Sequence, residues 1–296
     1  MKKYYSKIVA SISILFCLSF TYSDVSPFPF TKSSLLWKIE GPNVLKESYL
    51  FGSMHLIEKD YFIFPPKLEK IVSKTDLLIM ELKGLPTPEE SLNLITLKHG
   101  SFFDFFSKDE TDSVLNWAKS ELKMNEQSFR ATFYKMKPFM VVQLATQLQF
   151  SGKTESYELN FQRIASKNKI EQIGLETFTE QMSLFDNLSK NDQAELVMES
   201  IRDSKKSIHL ISKMQQIYYR QNVDSLLLLI QNESGILSTK QSDFVDNRNS
   251  NWIPKIMNNL SKNKCFIAVG AGHLGGENGV IRKLQKEGFT LTPIEL

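Results

Sequence analysis

The chain has 296 residues, 42% of them hydrophobic and 23% charged, an ordinary balance that is long enough to build a full hydrophobic core. Its formal charge is +3, and residues 1–23 hold three lysines and no acidic residue, so the remainder is close to neutral. A neutral chain without a basic stripe argues against nucleic-acid binding, which draws most of its affinity from phosphate neutralisation.

Lys2, Lys3 and Lys7 precede an apolar run from Ile8 to Phe20 and then Thr21-Tyr22-Ser23, which reads as a signal peptide of residues 1–23. Export to the periplasm or beyond is therefore expected. The apolar run is shorter than the roughly 20 residues of a spanning helix, so no stable transmembrane anchor is expected after cleavage. Cys17 lies inside this run behind Phe16, where a lipoprotein signal wants a small residue, so lipidation is disfavoured. Cleavage leaves Cys265 as the sole thiol and no intramolecular disulfide to stabilise the fold.

Residues 24–34, with Pro27, Pro29 and several Ser and Thr, read as an exposed arm. Residues 35–296 read as a single α/β domain. Leu35 to Ile39 and Ser48 to Phe51 flank Gly41-Pro42-Asn43 and predict two strands joined by a turn. Leu77 to Leu82 predicts a third, buried strand. From Asp109 to about Lys262 the spacing turns helical, as in Met136, Met140, Val141, Leu144 and Leu148. Gly174 and Gly235 break this stretch, Ser189 or Asn191 would cap a helix beginning near Asp192, and Pro254 should start or kink a helix. Cys265 to Val269, Val280 to Glu287 and Phe289 to Ile294 then predict strand, helix and strand. The fold class is α/β: a central mixed sheet built from the N- and C-terminal segments, with a large helical middle of about 109–262 as a cap.

Two local patterns repeat. Gly52-Ser53-Met54-His55 follows one apolar strand and Gly270-Ala271-Gly272-His273 follows another, each placing a histidine beyond a strand's carboxyl end, where α/β ligand sites collect. Each glycine permits a tight turn and a close ligand. His99 and His209 lack this setting. Glu81 ends the apolar strand Leu77-Leu78-Ile79-Met80, where an unpaired carboxylate is costly to bury. Two imidazoles and a carboxylate suit a divalent ion such as zinc, manganese, cobalt or iron that acidifies a bound water. The competing readings are hydrogen-bonded loop histidines and a solvent-facing Glu81. Glu176, after Ile173-Gly174-Leu175, is a further candidate ligand or general base, or else a helix N-terminal charge. Arg248 and Asn249, near Trp252, are candidates for binding a carboxylate or a developing oxyanion, or else a solvated helix face.

Gly270-x-Gly272-x-x-Gly275 also matches the dinucleotide fingerprint, but Gly276 and Gly279 delay the helix that should hold the pyrophosphate and no second mononucleotide unit follows. The sequence has no His-Glu-x-x-His, no Gly-x-Ser-x-Gly and no phosphate-binding Walker loop.

Several motifs in order resemble the TraB/GumN family, which includes the TIKI proteases and is related in fold to erythromycin esterase and ChaN-like proteins. They are Ser34-Leu35-Leu36-Trp37-Lys38-Ile39, Tyr49-Leu50-Phe51-Gly52-Ser53-Met54-His55, the strand ending in Glu81, Gly174-Leu175-Glu176-Thr177 with Gln181, Arg248-Asn249, and Val269-Gly270-Ala271-Gly272-His273-Leu274-Gly275-Gly276 with Gly279. Ser53 stands where the family commonly has threonine. The resemblance implies a site of two Gly-x-x-His motifs and a strand-end glutamate, matched by His55, His273 and Glu81. It further implies metal-dependent cleavage of peptides or proteins, as in the TIKI branch. The leading reading is therefore a metal-dependent hydrolase with Mn, Co or Zn as the ion and Glu176, Arg248 and Asn249 assisting. The alternative is a non-catalytic protein that binds a peptide, a metal or a haem-like ligand on the same loops.

Overall fold

The computed structural model describes residues 33–296 apart from 45, 203 and 234. The expected signal peptide, with Cys17, and all but the last two residues of the expected arm lie outside the described residues.

The described residues form eight strands: β1 Leu36–Glu40, β2 Ser48–Ser53, β3 Ile57–Glu58, β4 Leu77–Met80, β5 Thr154–Glu155, β6 Glu171–Gly174, β7 Cys265–Gly270 and β8 Thr290–Ile294. Six make the central sheet in the order β6-β4-β7-β2-β1-β8, while β3 and β5 pair separately. β6, β4, β7 and β2 run parallel; β1 is antiparallel to both β2 and β8. The sheet is therefore mixed and built largely from the two ends of the chain, as expected.

Its strands β4 and β7 are continuous apolar runs, as expected where helices cover both faces of a parallel sheet. Every residue of β4 is buried, as is all of β7 except Gly270. Phe51 of β2 stands at the centre of an aromatic group, with ring centroids 5.1 Å from Tyr157, 5.3 Å from Phe161 and 6.0 Å from Phe266. A second core, separate from that of the sheet, fills the helical middle with Phe102, Phe129, Phe133, Phe139, Phe185 and Phe244. Among the described residues no helix is long and apolar enough to cross a membrane.

One detail departs from expectation and two others decide between expected alternatives. The segment ending in Gly174 is strand β6, which returns from within the helical middle to the edge of the sheet, so the middle is not a purely helical insertion. Only one of its residues, Ile173, is strongly apolar, and edge position makes that enough. Pro254 does not start a helix: it lies inside Asn247–Leu260, which continues from a π-helical turn at Ser242–Asp246. Its missing N–H costs one internal hydrogen bond, and burial of Trp252, Ile253 and Ile256 on either side holds the helix together. Of the two candidate caps near residue 190, it is Ser189 that accepts, from Asp192 N at 3.0 Å.

Candidate functional site

The carboxyl ends of β2, β7, β4 and β6 lie side by side. Parallel register sets Ser53 opposite Gly270, Met80 opposite Ala268, and Met80 opposite Gly174. The two Gly-x-x-His loops are thereby neighbours, with Glu81 emerging from the next strand. Beyond the last paired residues, Leu175 N donates to Met80 O and Glu176 N to Glu81 O, at 2.8 and 3.0 Å. This extension of the ladder brings Glu176 beside Glu81. All four predicted elements, His55, Glu81, Glu176 and His273, meet at one edge of the sheet.

Glycine is required where the loops approach. A Cβ on Gly270 would lie 3.2 Å from Glu81 Oε1 and 3.8 Å from His55 Nε2; on Gly52 it would meet Leu274 at 2.9 Å and Ala271 at 3.1 Å. The first leaves space for the carboxylate, the second for the turn that carries His273.

Glu81 is buried rather than solvent-facing, only 5% exposed. Its Oε1 accepts from Gly270 N at 2.8 Å and its Oε2 from Arg248 Nη2 at 2.5 Å. Burial is the largest single influence and raises its pKa; Arg248, then the two histidines and the Gly270 N–H, together outweigh it and hold the carboxyl well below the usual carboxylate range. Oε1 also lies 3.9 Å from both His55 Nε2 and His273 Nε2.

The two imidazoles are held differently. Asn249 donates through Nδ2 to the carbonyls of His273 and Asn278, at 3.3 and 2.9 Å, which leaves its Oδ1 to accept from His273 Nδ1 at 2.7 Å. The network thus assigns the Nδ1–H tautomer and a lone pair on Nε2, toward which Arg248 Nη1 points at 3.1 Å. Burial, followed by Arg248, pushes the His273 pKa down to about 3, so the ring is neutral. Trp252 packs against it with centroids 4.6 Å apart.

His55 Nδ1 instead lies 2.9 Å from Glu158 Oε1. This is a close charge contact without hydrogen-bond alignment, since Nδ1 counts among the buried polar atoms that lack a hydrogen-bond partner. Burial opposes charging of His55, yet Glu158 and then Glu81 outweigh it and raise the pKa to about 9. Ser53 Oγ and Ser156 Oγ donate to the same Glu158 carboxylate, at 2.6 and 3.1 Å.

Arg248 and Asn249 are 5% and 0% exposed, so they are not a solvated helix face. The Arg248 guanidinium bonds Glu81, both oxygens of Glu176, and Phe244 O of the π-turn. Such commitment makes Arg248, Glu176 and Asn249 positioning groups: they fix Glu81 and His273. Glu176 does stand at a helix N-terminus, one residue before Thr177, the cap of the following helix Phe178–Asp186, but its carboxylate is taken by Arg248 and Gln181. Gln181 bridges the carboxylates, donating to Glu176 Oε1 at 2.9 Å and Glu81 Oε2 at 3.4 Å. His99 and His209 are exposed elsewhere. Glu158 escaped the sequence reading, because a glutamate in the first turn of Tyr157–Asn168 looks like an ordinary helix-dipole charge.

The donor chemistry suits a metal ion: a neutral imidazole lone pair at His273, a carboxylate at Glu81, and at His55 an imidazole whose Nδ1 is backed by a carboxylate. Among the described residues no three His, Cys, Asp or Glu side chains converge as a finished cage. Arg248 holds part of that space, taking Glu81 Oε2 and His273 Nε2 and leaving Oε1 between the two histidines.

The site opens into a pocket of about 780 Å³ of empty space, floored by His55, Glu81, Gly270 and His273. A smaller pocket shares His55 and Glu81 and is lined by Glu158, Gln162 and Gln181.

No curated protein and no solved structure matches the sequence. The sequence model of the TraB/PrgY/gumN family matches residues 35–293, nearly the whole length. The chain belongs to the TraB/PrgY/gumN family.

Proposed function

We propose that the protein is a metal-dependent hydrolase cleaving a peptide bond, with His55, Glu81 and His273 holding one divalent ion, Mn, Co or Zn. One observation carries this reading: each imidazole has a separate oxygen partner behind Nδ1, Glu158 or Asn249, and both present Nε2 at 3.9 Å to the same oxygen, Glu81 Oε1. Outer partners at this nitrogen orient metal-binding histidines, and the Asn249 hydrogen bond also fixes the tautomer of His273. The ion, when bound, supplies Lewis acidity and an acidified water.

The remaining work falls to the chain. Asn249 keeps His273 in the Nδ1–H form, Glu158 aims His55, and Arg248 with Glu176 keeps Glu81 ionised and oriented. The glycine-lined loops let a substrate backbone approach closely. The smaller pocket, lined by Gln162 and Gln181, gives water a polar approach to the same two ligands. The basic and apolar leader of residues 1–23 supports action outside the cytoplasm.

The test is metal content by elemental mass spectrometry on purified protein and on His55→Ala/His273→Ala, with peptide cleavage measured alongside. Near-stoichiometric ion, lost in the double variant together with cleavage, is expected. No ion in either after reconstitution sinks the metal mechanism. A second reading, a non-catalytic binding protein, is favoured by the prior engagement of Glu81 and His273 by Arg248; capture of intact peptide by metal-loaded protein would support it.

A further inference from the structure

The large pocket has a marked division of chemistry. Its floor carries the polar groups of the candidate site, whereas the helical middle contributes walls of Phe150, Met214, Leu226, Ile230 and Val245, with Thr146 as their one polar member. Phe150 and Ile230 are partly exposed at this wall, while Met214, Leu226 and Val245 are buried behind it. Val245 belongs to the π-helical turn Ser242–Asp246. The same turn supplies Phe244 O to Arg248 at 3.0 Å, so one irregular segment fixes both the apolar wall and the polar floor. Such π turns recur at functional sites.

An apolar wall against a polar floor selects a ligand with the same division. From this division we infer that the pocket is a specificity subsite for a bulky aliphatic or aromatic side chain adjoining the scissile bond, so that the substrates are peptides with Leu, Met or Phe at that position. The inference rests on the hydrolase reading for the word scissile; the binding preference itself does not depend on turnover. A side chain seated there trades exposed apolar area for contact with the wall, and an acidic or small residue gains nothing comparable.

The test uses full-length protein, with and without Mn, and fluorescent hexapeptide pools that share one fixed central residue: Leu, Phe, Ala or Asp. Fluorescence polarisation reads binding and mass spectrometry reads cleavage. Leu and Phe pools are expected to bind at least tenfold more tightly than Ala or Asp pools in both metal states. Ile230→Glu and, separately, Phe150→Ala should each erode that preference at least fivefold, with circular dichroism confirming that the variants fold. Equal binding of all pools, or a preference untouched by both variants, overturns the subsite. Preference without cleavage in any metal state supports the subsite and counts against the hydrolase reading. Cleavage without preference overturns the subsite and leaves the hydrolase reading standing.

Discussion

Glu158 sets the behaviour of His55, and removing its charge separates orientation from ligation. Glu158→Gln retains the shape but loses the carboxylate behind Nδ1, and metal affinity should fall about 10- to 100-fold, read by competition with a fluorescent chelator. The same pair predicts a pH dependence. His55 has a pKa raised from 6.5 to about 9, so in metal-free protein its contact with Glu158 stabilises fully below pH 6.5 and is lost as pH rises through about 9. A metal must displace that proton. Apparent affinity should therefore climb by up to about tenfold per pH unit between 6.5 and 9 and then level off; Glu158→Gln should flatten the climb. A flat profile in the unsubstituted protein would remove His55 from the ligand set. His273, with its pKa pushed down to about 3, contributes no proton competition in this window. The histidines were legible in the sequence because apolar strand, glycine and histidine are contiguous. Glu158 was not: 105 residues separate it from Ser53, its hydrogen-bond partner, and nothing local marks it.

At the scale of elements, the helix Tyr157–Asn168 brings Glu158 to the site while packing Tyr157 and Phe161 against Phe51 of β2. One interface therefore both stabilises the sheet and aims His55. Phe51→Ala should cost about 3–5 kcal/mol in urea unfolding, as for other fully buried aromatic truncations, and a loss under 1 kcal/mol would show that this interface does not support the sheet. The buried strands were readable because β4 and β7 are continuous apolar runs. β6 was not, since an edge strand of Glu171-Gln172-Ile173-Gly174 has no periodicity to distinguish it from a helix break. The π-turn at Ser242–Asp246 is likewise invisible to a 3.6-residue pattern, although it carries the carbonyl that seats Arg248.

Over the whole molecule, the sheet and the helical middle share the task of forming the site. The sheet supplies His55, Glu81 and His273, and the helical middle supplies Arg248, Asn249 and the apolar wall. A bound ion held by the three sheet residues would stabilise the folded chain by mass action. At a free ion concentration about 100 times Kd the stabilisation is about 2.7 kcal/mol, which for a chain of this size corresponds to roughly 5–10 °C in Tm. Differential scanning fluorimetry with and without chelator measures it, and no shift in the presence of bound ion would mean that the ion binds the unfolded chain as well as the folded one.

The guanidinium of Arg248 gives that experiment a further meaning. Because it already balances Glu81 and Glu176 and occupies the His273 lone pair, the pocket carries an internal counter-charge and does not depend on an ion for its integrity. Zinc-finger-like domains collapse when stripped of metal; here the chelated protein should stay folded. Loading becomes a late and reversible event in the life of the chain. On the proposed metal reading, the ion that ends up in the site would be decided by the surroundings the finished fold meets, and activity would be switched by ion supply alone.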